Sequence, residues 1–239
     1  MKSEIAKLVS LCNEYKIATD GDFEDNILKF SDIFIETSKH LNLTAIKEPH
    51  DIMIKHYFDS IYPLSLGLIN NNDRIIDIGC GGGFPSMPLK LADKTLDFTL
   101  LDSLKKRLTF LDGVIGELSL DKIVTLHARA EEAGRQKGMR DSFDVAISRA
   151  VAYLPLLCEL CLPFVREGGL FIAYKGNDMG EIDEARTHIK ELSGEIEDVI
   201  TYELPENAGA RTLVVIRKVK PTHPVYPRTS KALSKAFAK

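Results

Sequence analysis

Apolar residues recur at helical spacing from Ile5 to about Leu66, with Ile5, Leu8, Cys12 and Tyr15 on one stripe and Ile27, Phe30, Ile33 and Phe34 on another. Residues 1–72 are therefore expected to form a helical N-terminal extension. From Asp73 the period changes. Short apolar runs predict strands at Arg74–Ile78, Thr95–Asp102, Ile123–His127, Phe143–Ser148 and Leu170–Lys175. Between them, helical patterns follow Phe84 and cover Ser103–Leu118 and Leu154–Val165, and a polar loop runs through Arg140. Strand alternating with helix predicts an α/β fold, a Rossmann-like parallel sheet. After a helix near Glu181–Leu192, Glu195–Leu204 and Thr212–Val219 read as two strands joined by a short Pro/Asn/Gly loop, which predicts an antiparallel C-terminal hairpin at the sheet edge. Residues 73–219 form the expected main domain and residues 220–239 a basic tail.

The first predicted strand runs into Gly79-Cys80-Gly81-Gly82-Gly83-Phe84, a glycine-dense turn before a helix. Gly79, Gly81 and Gly83 permit dihedrals and backbone approach that a Cβ would forbid, so such a turn can press against a ligand. Dinucleotide sites place a pyrophosphate at the helix N-terminus. Asp77, two residues before the first glycine, instead suits a cofactor bearing an ammonium group, as S-adenosylmethionine does. Asp102 ends the second strand about twenty residues on, where ribose hydroxyls are commonly held. Asp102 or Ser103 could equally cap the following helix. Cys80, inside the turn, is expected to face the ligand.

Composition narrows the setting. The 239 residues carry a formal net charge of -4, which does not advertise nucleic-acid binding. The first residues carry charges where an export signal would be apolar, and Arg149, Pro155, Glu159 and Pro163 interrupt the most apolar stretch, Ala146–Val165. A cytoplasmic protein without a membrane span is expected. Cys158 and Cys161 have the spacing of half a metal site but no second pair or histidine cluster, so they are expected in the core and no metal is expected. Asn42-Leu43-Thr44 spells a glycosylation acceptor that a cytoplasmic chain would not use. The charge is unevenly spread. Acids gather at Asp20, Asp22, Glu24 and Asp25, whereas after Leu213 the basic residues Arg217, Lys218, Lys220, Arg228, Lys231, Lys235 and Lys239 meet no acid in the sequence. That tail is the expected phosphate contact, with Lys105, Lys106 and Arg107 as a second candidate patch.

The chain resembles the bacterial 16S ribosomal RNA guanine-N7 methyltransferase family, also called glucose-inhibited division protein B. The likeness runs through Asn42-Leu43-Thr44-Ala45-Ile46, His56 with Asp59-Ser60, and Asp77 through Pro85. It continues through Leu101–Arg107, Arg129-Ala130-Glu131, Ser148-Arg149-Ala150, Lys175-Gly176, Arg211 with Arg217-Lys218, and Pro224-Val225-Tyr226-Pro227-Arg228. The resemblance implies methyl transfer from S-adenosylmethionine to guanine 527 in the 530 loop of 16S rRNA, with the small ribosomal subunit as partner. It places Gly79 and Phe84 at the cofactor border, Asp102 and Ser103 at its ribose, Ala130 and Glu131 at its adenine, and Arg149 beside it. Asp77 and Gly81 complete the expected cofactor set.

Guanine N7 carries an in-plane lone pair and no proton, so the reaction requires no general base, and no catalytic acid or base is expected. Lys175 and Arg211, with Arg228 in the tail, are expected to hold RNA. Two other readings stand beside this one: a non-catalytic ribosome-assembly factor on the same fold, and a nicotinamide-dependent oxidoreductase, which lacks a plausible hydride-relay His or Tyr after a later strand.

Overall fold

The computed structural model describes residues 1–176 and 180–237. It opens with two amphipathic helices, α1 (Lys2–Glu14) and α2 (Phe23–Leu41), which bury Ile5, Leu8 and Cys12 of one stripe and Ile27, Phe30 and Phe34 of the other, with Tyr15 and Ile33 partly buried beside them. Asn42, in the left-handed region at φ 48°, ends α2 and turns the chain back. A continuous helical stretch follows as α3 (Pro49–Ile52), a π-helical segment (Met53–Phe58) and α4 (Asp59–Ser65).

The alternating region builds one sheet. Its elements are β1 (Arg74–Ile78), α5 (Ser86–Ala92), β2 (Asp97–Asp102), α6 (Lys105–Glu117), β3 (Ile123–His127), α7 (Ala130–Ala133), β4 (Phe143–Arg149), α8 (Leu154–Cys161), β5 (Val165–Lys175), α9 (Gly180–Glu191), β6 (Gly194–Glu203) and β7 (Ala210–Lys218). The seven strands lie in the order β3-β2-β1-β4-β5-β7-β6. β1 to β5 are parallel, and β7 runs antiparallel between β5 and the edge strand β6. The predicted α/β sheet with an antiparallel C-terminal hairpin is the architecture found.

Strands buried on both faces require cover on both sides. Ile75, Phe98, Leu100 and Val145 face one apolar cluster, shared with α1, α2, α5 and α6, while Ile76, Ile78, Leu101 and Ala146 face the other, shared with α8 and α9. The helical extension therefore shares its core with the sheet. No helix among the described residues is long and apolar enough to cross a membrane.

Some boundaries differ from the sequence reading. The helix expected to reach Val165 ends at Cys161, because Pro163 cannot continue the hydrogen-bond ladder, and a 3-10 turn (Leu162–Phe164) leads directly into β5. The polar loop before Arg140 contains the short α7. Cys158 and Cys161 are fully buried, as expected. Cys80 is buried too, at 1% exposure, contrary to the expectation that it faces a ligand. The tail is also not a free arm: α10 (Ser230–Ala236) buries Leu233, and Arg140 donates to the carbonyls of Thr222, His223 and Tyr226. Lys239 lies outside the described residues.

Candidate active site

The carboxyl ends of β1 and β2 define the site. Gly79 has φ +74°, and a Cβ there would sit 2.5 Å from Val151 Cγ2, so neither the conformation nor the space admits a side chain. Asp102, 3% exposed, braces the turn: Oδ2 accepts the Gly81 amide at 3.0 Å and Oδ1 accepts the Leu104 amide at 2.8 Å. The expected helix cap is thus replaced by a clamp, since Leu104 and not Asp102 or Ser103 occupies the cap position of α6. Arg107 Nη1 lies 3.4 Å from Asp102 Oδ2.

A cavity of about 290 Å³ opens here, lined among others by Gly79, Asp102, Ser103, Ala130, Glu131 and Val151. It brings together residues expected at the cofactor border, ribose and adenine. Glu131 Oε1 accepts the Ser230 hydroxyl at 2.5 Å, so the C-terminal segment holds one residue of the cavity wall. Asp77, Gly81 and Phe84 are not in the wall. Asp77 is fully buried beneath the turn, and neither carboxylate oxygen has a hydrogen-bond partner, although Ser86 stands beside it. Burial pushes its carboxyl up to about 7. An orphaned buried carboxylate under a glycine turn fits a cofactor with an ammonium group better than one with a pyrophosphate.

A second cavity, of about 300 Å³, meets the first at Ala150 and is lined by Ile46, Lys55, His56, Asp59, Arg149, Tyr174, Lys175, Gly176 and Arg211. Arg149 belongs to this side. Its Nη1 donates to Asp59 Oδ2 at 3.0 Å and to the Lys55 carbonyl at 3.2 Å, and its Nη2 to His56 Nδ1 at 3.2 Å. Its guanidinium also lies over the Phe84 ring at 5.4 Å. Arg149, expected beside the cofactor, thus lines the second cavity and not the first, its guanidinium paired with the buried Asp59 carboxylate of the helical extension. Phe84 is a buried platform, stacked on His56 with centroids 4.7 Å apart and packed against Phe30, Phe34 and Tyr57.

The donors and acceptors in this network are fixed. An arginine only donates, so His56 Nδ1 accepts and Nε2 carries the proton, which goes to Thr44 Oγ1 at 2.8 Å. Burial, then Arg149, pushes the His56 imidazole down to about 3, so it is neutral. Asp59 Oδ1 accepts the Tyr202 hydroxyl at 2.6 Å, and burial followed by Asp59 raises that phenol far above its ordinary value. Tyr174 donates to the Ser60 carbonyl at 2.9 Å. The π-helical segment presents the Lys55 and His56 carbonyls toward Arg149; such wide turns are frequent at functional sites.

Of the residues expected to hold RNA, Lys175 and Arg211 both line the second cavity. Lys175 Nζ is 2.6 Å from Glu181 Oε2, and Arg211 Nε is 3.9 Å from Asp59 Oδ1. Arg228 is elsewhere. Its Nε donates to both oxygens of the fully buried Glu159 at 3.0 Å, and His188 Nε2 approaches the same carboxylate at 2.9 Å. That guanidinium pairs with a buried charge away from the second cavity. Lys218 is buried against Asp141, and Arg217 pairs with Glu197. Lys220, Lys231 and Lys235 remain exposed.

Sequence reasoning assigned no role to Thr44, His56, Asp59, Tyr174 or Tyr202. His56 and Asp59, one turn apart in a helical segment, were the available signal. Their partner Arg149 is about ninety residues away in the chain, which spacing alone does not pair.

Comparison with known proteins places this arrangement. The family profile described as rRNA small subunit methyltransferase G matches residues 24–212. Ribosomal RNA small subunit methyltransferase G of Alkaliphilus oremlandii is 42% identical over 212 residues, covering 88% of this chain and 89% of the relative. That of Acetivibrio thermocellus is 40% identical over 228 residues, covering 95% and 94%. A SAM-dependent O-methyltransferase from Thermotoga maritima shares the fold, with TM-score 0.51 at 16% identity, over 80% of this chain and 72% of that one.

Proposed function

The chain belongs to the rRNA small subunit methyltransferase G family, and on that premise we propose that it methylates N7 of guanine 527 in the 530 loop of 16S rRNA. It is an S-adenosylmethionine-dependent methyltransferase. The observation that carries the finer reading is the pair of cavities joined at Ala150, one bounded by the glycine turn and Asp102, the other by the His56–Arg149–Asp59 network.

When bound, S-adenosylmethionine supplies an electrophilic methyl carbon on a sulfonium. We assign Gly79, Asp102 and Ser103 to the cofactor's amino-acid and ribose portions, Ala130 and Glu131 to its adenine, and Asp77 to the charge of its ammonium. The acceptor side is built for a nucleophile with no proton to lose. Both His56 nitrogens and both Asp59 oxygens are engaged, so neither group waits for a proton. Methylation leaves the purine cationic, and an arginine aimed at N7 would oppose that charge. Asp59 and His56 hold Arg149 back. The protein's contribution is alignment and water exclusion, which can lower a barrier by up to about 7–11 kcal/mol. Lys175 and Arg211, at the mouth of the second cavity, are assigned to the RNA backbone. The surrounding chain is acidic overall, which suits a target recognised inside the small subunit rather than as free rRNA, and such a substrate places the protein in the cytoplasm.

The test is incubation with methyl-tritiated S-adenosylmethionine and small subunits, whole ribosomes or naked 16S rRNA, followed by nuclease digestion and mass spectrometry. Label in 7-methylguanosine at the 530 loop is expected. Label in another nucleoside, or none with any of the three substrates, overturns the reading.

A further inference from the structure

A further cavity lies outside both of those described. It occupies about 450 Å³ between the C-terminal half of α2 and the loop after it, within the ~300–1,000 Å³ range of small-ligand sites. Ile46 lines both this cavity and the acceptor cavity, so the two are neighbours. Its walls are apolar, from Phe34, Ile35, Ile46 and Ile52, and the exposed Lys39 and Lys47 stand at its edge. Lys39 pairs with Glu36 along the helix.

Two hydroxyls in this cavity are unspent. Thr44 Oγ1 accepts the His56 Nε2 proton at 2.8 Å and the Ile46 amide at 3.0 Å, which occupies both of its acceptor positions. Its own proton is therefore left to donate. Ser38 Oγ is buried from solvent and has no hydrogen-bond partner at all. A buried hydroxyl without a partner costs free energy unless a ligand completes it. The direction of the Thr44 proton is dictated from across the site: Arg149 donates to His56, His56 donates to Thr44, and Thr44 can only donate onward.

We propose that this cavity receives an unpaired nucleobase adjacent to the target guanine in the same RNA strand, with the Thr44 hydroxyl donating to an acceptor on its edge. The inference rests on the rRNA reading above and names a second recognition site for that substrate. Splayed-out bases are read by apolar or aromatic walls against their faces and by hydrogen bonds at their edges, with cations for the backbone, and the cavity offers all three. It also links base recognition to the acceptor site, because the His56–Arg149 pair that orients Thr44 also lines the neighbouring cavity.

The experiment uses the full chain with isotopically labelled isoleucine methyl groups. Titration with AMP, CMP, GMP and UMP at millimolar concentration should shift the Ile35 and Ile52 methyl signals saturably with at least one of them. If none of the four moves either signal, the proposal fails, whatever the methylation assay shows. Ser38→Phe, which fills the cavity, is expected to raise KM for small subunits by about tenfold or more, equivalent to ~1.4 kcal/mol. Thr44→Val is expected to raise KM by about five- to tenfold, with Thr44→Ser restoring it. Binding of S-adenosylhomocysteine reports that each variant is folded. An unchanged KM in folded Ser38→Phe, or a Thr44→Val defect confined to kcat, overturns the proposal. Absence of methylation by the unaltered protein would instead sink the rRNA reading, while the nucleotide titration would still report on the cavity.

Discussion

Asp102 accepts the Gly81 amide at 3.0 Å while its other oxygen accepts the Leu104 amide at 2.8 Å, so one carboxylate ties the glycine turn after β1 to the end of β2. Removing it loosens the turn as well as deleting the assigned ribose acceptor. Asp102→Ala is expected to weaken S-adenosylhomocysteine binding by about 1–3 kcal/mol, and Asp102→Asn by less, because the amide keeps one acceptor oxygen. Calorimetric titration checks this. Unchanged affinity in Asp102→Ala would leave Asp102 with a purely local role.

Asp77 gives the cofactor site a pH signature. Burial raises its carboxyl from an ordinary value of 3.8 to about 7. Between those values the folded state binds more protons than the unfolded one, so this group's contribution to stability falls as pH rises from about 4 to about 7. A cationic ammonium needs the ionised form. Cofactor affinity is therefore expected to weaken below about pH 7, by at most about tenfold per unit, and to lose that dependence in Asp77→Asn. Titrations of S-adenosylhomocysteine from pH 6 to 8 decide it.

The sheet and the glycine turn were legible because their signals are local: short apolar runs set β1, β2 and β4, and Gly79 and Gly83 sit where a side chain would collide. Asp102, Ser103, Ala130 and Glu131 could be placed at one cavity because all sit at carboxyl ends of parallel strands, where topology fixes location. The partners of Arg149 and Arg228 are not legible in the sequence, for a shared reason. A free arginine and one neutralising a buried carboxylate look alike in sequence, and the acids concerned, Asp59 and Glu159, lie on helices whose packing sets the pairing. Cys80 was misjudged because a turn that approaches a ligand on one side packs into the core on the other.

Glu159 supplies the stability test. Burial pushes its carboxyl up, but hydrogen bonds from His188 and Arg228 outweigh that and hold it at about 2. Its folded value lies below the ordinary 4.5, so the stability it contributes is complete above about pH 4.5 and is lost as pH falls toward about 2. Arg228→Ala removes the guanidinium but leaves the buried carboxylate its contacts with His188 and the residue-228 amide, and is expected to cost about 1–3 kcal/mol at neutral pH, with a smaller deficit at pH 3. Urea unfolding at the two pH values tests it; an equal loss at both would mean that packing, not charge, sets the effect.

The chemical step should be insensitive to pH. His56 is neutral well below the working range, pushed to about 3, and the other polar groups facing the acceptor cavity are engaged in hydrogen bonds or ion pairs. Single-turnover methyl transfer at saturating cofactor is expected to stay flat from about pH 6 to 9. A rate that drops tenfold per unit on the acid side, with cofactor still bound, would require a titrating base and would contradict transfer to an unprotonated N7.

Salt dependence separates the two sets of basic residues. Lys175 and Arg211 line the acceptor cavity, where Lys175 also meets Glu181, whereas Arg228 pairs with Glu159, Lys218 with Asp141 and Arg217 with Glu197, all outside that cavity. A phosphate contact releases counterions, so losing one flattens the slope of log affinity against log salt by about 0.7–0.9, while losing an internal ion pair changes stability and leaves the slope alone. Lys175→Ala and Arg211→Ala are each expected to flatten the slope for small-subunit binding by about that amount. Arg228→Lys keeps the charge but loses the fork that meets both Glu159 oxygens, so it is expected to lower the melting temperature without touching the slope. Lys220, Lys231 and Lys235, exposed and clear of those pairs, are the tail positions left for phosphate, and replacing all three with alanine measures what the tail adds. If the slope is unchanged in Lys175→Ala and Arg211→Ala but falls in the triple variant, the RNA is held by the tail and not at the mouth of the cavity.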